Sequence, residues 1–286
     1  MNRLLKKSYS VVDVVVFSVL IATVLCFFLA RRTCYSSHFY QPRLDDPAAT
    51  KHMQQAYKEI VARRDVKMPL EKQKEIARLF HELEIWQNMW FMGISIQKNP
   101  CDLWMIQQII YETRPDYIIE AGTFRGGAAL YFAHMLEGMG LSRSKVITID
   151  IENACQEAAK LPLWQRRVEF IEGSSTDPDV VARIRHETNG KKVIVVLDSV
   201  HSRDHVLQEL QYYGPLVSPG SYLVVEDTNI DAIPLDPGCL GPATAVGEFL
   251  NTEAGKDFSQ DFSREAMVLT FNPGGWLKKA EHRPSR

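Results

Sequence analysis

The sequence predicts an α/β protein with a mostly parallel seven-stranded sheet and helices on both faces, preceded by a single transmembrane helix. Three observations carry that expectation. Short apolar runs alternate with helical patterns from Tyr117 to Glu226, as βαβ units do. The first run enters a glycine-bearing turn, Asp116 to Gly127 (D-Y-I-I-E-A-G-T-F-R-G-G), which opens a helix near Ala128. Val11 to Ala30 is apolar except for Asp13, Ser18 and Thr23. At about 1.5 Å per residue, that run spans the roughly 30 Å hydrocarbon core.

Arg3, Lys6 and Lys7 precede the apolar run, and Arg31 and Arg32 follow it. The run's length and the paired arginines favour an uncleaved single-pass anchor over a cleaved signal peptide. Basic residues nearly balance across it, and a lumenal catalytic domain is the orientation favoured. Thr33 to Thr50 lacks periodicity and reads as a linker. Ala48–Arg63 and Pro69–Met89 read as helices. The expected partition is 1–32 tail and anchor, 33–85 linker and N-terminal helices, and 86–286 catalytic domain.

Gly93 to Pro100 reads as irregular, with Gln97-Lys98-Asn99-Pro100 able to fold over a ligand. Asp102–Tyr111 reads as a helix. Strands follow at Tyr117–Ala121, Lys145–Asp150, Val168–Glu172, Val193–Asp198 and Ser221–Glu226, with a helix at Asp204–Tyr213. Their near-continuous apolar character fits burial on both faces. Two further β runs, near Asp257–Phe262 and Ala266–Phe271, are expected to close the sheet with an antiparallel edge.

Composition is that of an ordinary globular chain: 286 residues, 45% hydrophobic, 24% charged, formal net charge −2. Nothing global points to nucleic acid. The five cysteines (Cys26, Cys34, Cys101, Cys155, Cys239) form no C-x-x-C pair and no zinc spacing.

Polar residues gather at the carboxyl ends of the strands, where open α/β sheets bind ligands. The turn spacing is G-x-x-x-G-G, which favours a nucleoside ligand without a pyrophosphate. Glu120, Gly122 and Gly126 form one part of that pocket. Asp150, ending the second strand, is placed to take both ribose hydroxyls. Ser175 and Thr176 could contact an adenine edge or form a capping turn. Together they describe an adenosine-type cofactor site. Asp198, Glu226 and Asp227 form a second cluster whose hard oxygen ligands suit Mg²⁺. His201 lies in the same loop as Asp198 and could take a substrate hydroxyl proton. His205, one helical turn on, reads as surface or as support behind the site. A lid at Asp231–Pro242, with Trp90, Trp104 and Tyr213, is expected to shape the acceptor pocket.

At these residues the sequence resembles the cephalosporin hydroxylase / rhamnosyl O-methyltransferase family, over roughly Trp86 to Lys279. The matching stretches are K-N-P-C-D-L-W from Lys98, R-P-D-Y-I-I-E-A-G-T-F-R-G-G from Arg114 and L-D-S-V-H-S-R-D-H-V-L-Q-E-L from Leu197. L-V-S-P-G-S-Y-L-V-V-E-D-T from Leu216 and L-T-F-N-P-G-G-W-L from Leu269 complete the set. The resemblance implies the Rossmann-like S-adenosylmethionine methyltransferase fold and an S-adenosylmethionine-dependent, Mg²⁺-assisted O-methyltransferase.

The spacing is also similar to that of catechol O-methyltransferases. These place a metal-binding Asp after the fourth strand and an Asp-Asn pair 28 and 29 residues later. Glu226 and Asp227 stand at those distances from Asp198. His201 replaces the family's lysine base. The acceptor is left open among a small molecule, a glycan and a lipid-linked sugar. Two other functions compete: a non-haem iron oxygenase using Asp198, His201 and His205, and a non-catalytic membrane-tethered binding module.

Overall fold

Tyr117–Ala121 is buried at every position after Tyr117, because strands pair with it on both sides and helices cover both faces. The computed structural model describes residues 69–232, 238, 240–267 and 269–281. They all lie in one unit, Met53–Arg286. Chain order gives α1 (Leu70–Glu82), a short hairpin of β1 (Trp90–Phe91) and β2 (Ile94–Ser95), α2 (Pro100–Thr113), β3 (Tyr117–Ala121), α3 (Gly127–Gly138) and β4 (Lys145–Asp150). Then come α4 (Gln156–Ala159), α5 (Pro162–Arg167), β5 (Val168–Glu172), α6 (Pro178–Glu187), β6 (Val193–Leu197), α7 (Arg203–Tyr213) and β7 (Tyr222–Val225). The chain continues with α8 (Asn229–Ala232), α9 (Pro242–Leu250), β8 (Phe258–Gln260) and β9 (Trp276–Lys279).

The large sheet runs β5-β4-β3-β6-β7-β9-β8. Its first five strands are parallel, and β9 is antiparallel to both neighbours. The seven strands, the mixed edge and the five parallel strand positions agree with the sequence reading. Strand alternation divides the core in two. Ile118, Val146, Val196, Val224 and Trp276 pack beneath α2, α3 and α5 on one face. Ile119, Ile147, Val195, Leu223 and Leu277 pack beneath α6, α7 and α9 on the other.

Three local expectations are corrected. The described residues of the β run expected at Ala266–Phe271 form no strand. Asp261 accepts the Ser263 N–H and turns the chain into a 3₁₀ segment, Phe262–Glu265. Pairing with β7 passes instead to β9, whose Trp276 and Leu277 bury one side chain on each face. The helix expected over Pro69–Met89 ends at Glu82, because Glu84 adopts a left-handed conformation (φ 48°) before a 3₁₀ turn at Ile85–Asn88. The segment read as irregular at Gly93–Pro100 contains β2 and the first residue of α2, which Asn99 caps by accepting the Cys101 N–H.

The membrane expectation is also corrected. Among the described residues, no helix is long and apolar enough to cross a membrane. The fold class of the described residues is therefore the α/β sheet with its helices, and a single-pass localisation with a lumenal domain is not supported. Val11–Ala30, on which it rested, lies outside the described residues, as do the linker and the helix expected at Ala48–Arg63.

Candidate active site

Strand order reverses between β3 and β6, so loops leaving these two strands diverge to opposite sides and leave a crevice. A cleft of about 510 Å³ opens there. It falls within the ordinary range of roughly 300–1,000 Å³ for small-molecule sites. Gly122 sits at its base with φ +96°, and an added Cβ would lie 1.9 Å from the Asp198 carbonyl oxygen. Only glycine lets the ends of β3 and β6 approach this closely.

On the β3–β4 side, Asp150 spends Oδ2 on the backbone N–H groups of Thr123 and Phe124, at 2.9 and 2.8 Å. Its Oδ1 accepts one longer bond from the Glu152 N–H, at 3.2 Å. The carboxylate thus fixes the glycine turn and keeps acceptor capacity at the cleft. Glu120 lies behind the cleft lining. It is fully buried beside Thr148, its partner in the sheet register, whose hydroxyl donates to Oε2 at 2.6 Å. Oε1 has no partner. Burial pushes the Glu120 carboxyl up to about 7, against the opposing pull of Lys98 and the Thr148 hydrogen bond.

Gly126 serves packing. A Cβ there would meet the Trp164 ring at 2.6 Å, and the residue does not line the cleft. Ser175 lines it, but its hydroxyl donates to Glu209 Oε1 at 2.5 Å and lies 3.2 Å from His205 Nε2. Thr176 is outside the lining and pairs with Ser174, and Asp177 caps α6.

On the β6–β7 side, Asp198, His201 and Asp227 converge, with one ligand atom of each within 4.8 Å of the others. His201 Nε2 lies 3.4 Å from Asp227 Oδ2 and 3.9 Å from Asp198 Oδ1. Asp227 reaches this position through a left-handed backbone (φ 55°), with its N–H donated to Asn272 Oδ1 at 2.9 Å. Glu226 stands apart from that group. Its Oε2 is 2.7 Å from the Lys98 ammonium, which also donates to Asp198 Oδ2 at 2.5 Å. Burial opposes the charge on Lys98, but Asp198, Glu226 and Glu120 outweigh it and hold the ammonium above the usual lysine range. Burial drives Glu226 well above the usual carboxylate range, with Asp198 and Asp227 adding to the rise and Lys98 opposing it.

His205 turns away from the carboxylates. Its Nε2 is 3.3 Å from Glu209 Oε1, which raises its proton affinity against the effect of burial. Among the described residues, the two-histidine, one-carboxylate set that an iron oxygenase needs is therefore not formed. Trp90 and Trp104 are exposed and off the cleft, and Tyr213 is buried with its hydroxyl donated to the Ser175 carbonyl. The aromatic walls are Phe80, Trp86, Phe124 and Phe271 instead. Residues 233–237 and 239 of the expected lid lie outside the described residues. Asp231 caps α9 through the Ala243 and Thr244 N–H groups.

Three groups escaped the sequence reading: Lys98, Asp102 and Asn272. Lys98 meets Asp198 across 100 residues, and Asp102 accepts the Phe271 N–H across 169. Lys98 lies in the Gln97–Pro100 loop that the sequence marks as able to fold over a ligand, whereas Asp102, inside α2, and Asn272, in the turn before β9, carry no local signal of their place at the site.

The residues present fit a nucleoside sulfonium on the Asp150 side and a divalent cation on the Asp198 side. A β5-β4-β3-β6-β7-β9-β8 sheet with such a rim defines the class of S-adenosylmethionine-dependent O-methyltransferases. The family described as Rhamnosyl O-methyltransferase/CmcI matches residues 83–280. The rhamnosyl O-methyltransferase of Mycobacterium tuberculosis is 38% identical over 200 residues, covering 68% of this chain and 79% of that protein. That of Mycobacterium leprae is 36% identical over 198 residues, covering 68% and 84%. The chain belongs to this family. CmcI solved with Mg and SAM shares the fold at TM-score 0.51 and 19% identity, over 68% of this chain and 77% of that one.

Proposed function

We propose that the chain methylates a sugar hydroxyl, with S-adenosylmethionine as methyl donor and Mg²⁺ as its metal. The observation that carries this is the convergence of Asp198, Asp227 and His201 in the same cleft as Asp150 and Gly122. When bound, S-adenosylmethionine supplies an electrophilic methyl group whose C–S bond breaks as the acceptor oxygen bonds its carbon, and Mg²⁺ supplies charge that lowers the acceptor's pKa.

Asp150 would hold the ribose hydroxyls through its remaining acceptor capacity, while Gly122 gives the backbone its close approach. Asp198 and Asp227 would hold the metal, with Glu226 as the third carboxylate. His201 Nε2 would take the acceptor proton. Ser175 and the Glu209 carboxylate brace the loop beside the adenine end, and Glu120 supports the turn through Thr148. Phe80, Trp86 and Phe271 offer apolar faces on which a deoxy sugar can lie. The relatives' names specify a rhamnosyl acceptor for those proteins, which supports a sugar here.

The test is transfer from isotope-labelled S-adenosylmethionine to rhamnosides and to a catechol, read by mass spectrometry. Label on the rhamnoside, lost in Asp150→Ala together with cofactor binding, is the expected result. Label only on the catechol would refute the sugar assignment. Absence of cofactor binding by the folded chain would refute the methyl-transfer reading.

A further inference from the structure

Lys98 is the only lysine or arginine lining the cleft among the described residues, and it faces Asp102, Asp150, Asp198, Glu226 and Asp227 on the same walls. It is 5% exposed. Its backbone is fixed by α2, which begins two residues later and is capped by Asn99. From there the side chain reaches two different strand ends, touching Asp198 Oδ2 after β6 and Glu226 Oε2 after β7. Glu226 Oε1 is buried without a partner. The ammonium therefore holds one oxygen of each carboxylate and leaves the cluster short of positive charge.

Two buried carboxylates repel strongly unless a cation lies between them. A divalent ion on the same carboxylates would carry twice the charge of the ammonium and compete with it for their negative charge. Resting on the reading of Asp198, Glu226 and Asp227 as the Mg²⁺ site, we infer that Lys98 is a positioning residue that stands in for the metal. It gathers Asp198 and Glu226 in the metal-free chain and competes with Mg²⁺ for them. The metal affinity of this site is then set by a residue 100 positions away from the carboxylate it touches. On this inference, loading the metal draws charge away from the ammonium and loosens at least one of its two contacts.

The experiment is calorimetric titration of the metal-stripped full chain with MgCl₂, in wild type, Lys98→Met, Lys98→Gln and Lys98→Arg. The neutral variants are expected to bind Mg²⁺ about tenfold more tightly or better, since a repelling charge and a competitor are both removed. Their metal-free melting temperature is expected to fall below wild type and to recover at saturating Mg²⁺. Lys98→Arg keeps the charge and is expected within about threefold of wild type. A purely structural role for Lys98 predicts the opposite sign, weaker Mg²⁺ binding in every variant.

Lys98→Gln retains a donor to both carboxylates and guards against a folding failure of Lys98→Met. In the wild type, saturating Mg²⁺ is expected to raise labelling of Lys98 by an amine-reactive reagent several-fold, and this needs no variant. Unchanged or weaker Mg²⁺ binding in the neutral variants, or unchanged labelling, overturns the inference while leaving the metal site standing. No Mg²⁺ binding in any chain that still binds S-adenosylmethionine overturns both.

Discussion

Helix α2 carries a buried cation–carboxylate cluster at each end, and the two are built differently. At its C-terminal end, Glu112 takes a bidentate contact from Arg264, at 3.1 and 2.5 Å. Arg264 also donates to the Tyr222 hydroxyl, and that hydroxyl donates to Asp261 at 2.6 Å. No side-chain polar atom of these four residues is buried without a partner. Burial would raise the Asp261 carboxyl, but Ser263, Tyr222 and Arg264 outweigh it and hold it below the usual range.

At the N-terminal end, one ammonium faces an excess of acids, and Asn99 Nδ2, Asp102 Oδ1 and Glu226 Oε1 are buried with no partner. There Glu226 is pushed up, chiefly by burial. One cluster is fully paired, and the other keeps an unspent amide donor and two unspent carboxylate oxygens. Unspent hydrogen-bonding capacity in a buried cluster is costly, and it supports the reading of this end as the one a ligand completes.

The comparison predicts opposite phenotypes. Arg264→Met removes one partner of a buried pair and leaves Glu112 and Asp261 uncompensated. A loss of about 3–5 kcal/mol in unfolding free energy is expected, with Mg²⁺ and cofactor affinity in the folded fraction unchanged. Chemical denaturation and calorimetry would read the two quantities separately. Weakened ligand binding with stability intact would erase the distinction between the clusters. At the other end, Asp198→Asn is expected to cost on the order of 10²–10³ in kcat, as removal of one preorganised electrostatic group does. Its melting temperature should stay close to wild type, because Lys98 retains Glu226. A large fall in stability with activity retained would mean that Asp198 belongs to the scaffold.

The same contrast explains what the sequence disclosed. The parallel strands were legible because each is a near-continuous apolar run closed by an acid or a turn. The rim carboxylates were legible because strand order places them. β9 was missed because W-L-K-K carries only two apolar residues, and its pairing depends on β7 being left with an open edge. Loop position leaves Ser175 and Thr176 open between an adenine contact and a capping turn and places Gly126 at the cofactor, whereas Glu209, Ser174 and Trp164 engage them. Those partners lie on other elements, beyond the reach of local pattern. Lys98 and Arg264 share that difficulty. A single basic residue in a polar stretch reads as solvated until the fold brings carboxylates to it.

The smallest expected effect concerns proton uptake, and it separates the two ends by sign. Burial holds Glu120 at about 7 and Asp102 at about 7, against roughly 4 for free carboxyls. Between those values the folded chain binds more protons than the unfolded chain, so metal-free stability falls as pH rises and levels off above about 7. Asp261 is shifted the other way, so its contribution is lost only in acid, below the ordinary carboxylate range. The metal-free melting temperature is therefore expected to drop by a few degrees from pH 5 to pH 8. Glu120→Gln should flatten part of that slope and leave the acid limb unchanged. Saturating Mg²⁺ should reduce the slope as well, since added positive charge favours the ionised acids. A melting temperature that climbs steadily across this interval, or a Glu120→Gln profile parallel to wild type, would show that the acids around Lys98 are already ionised and compensated, as those around Arg264 are.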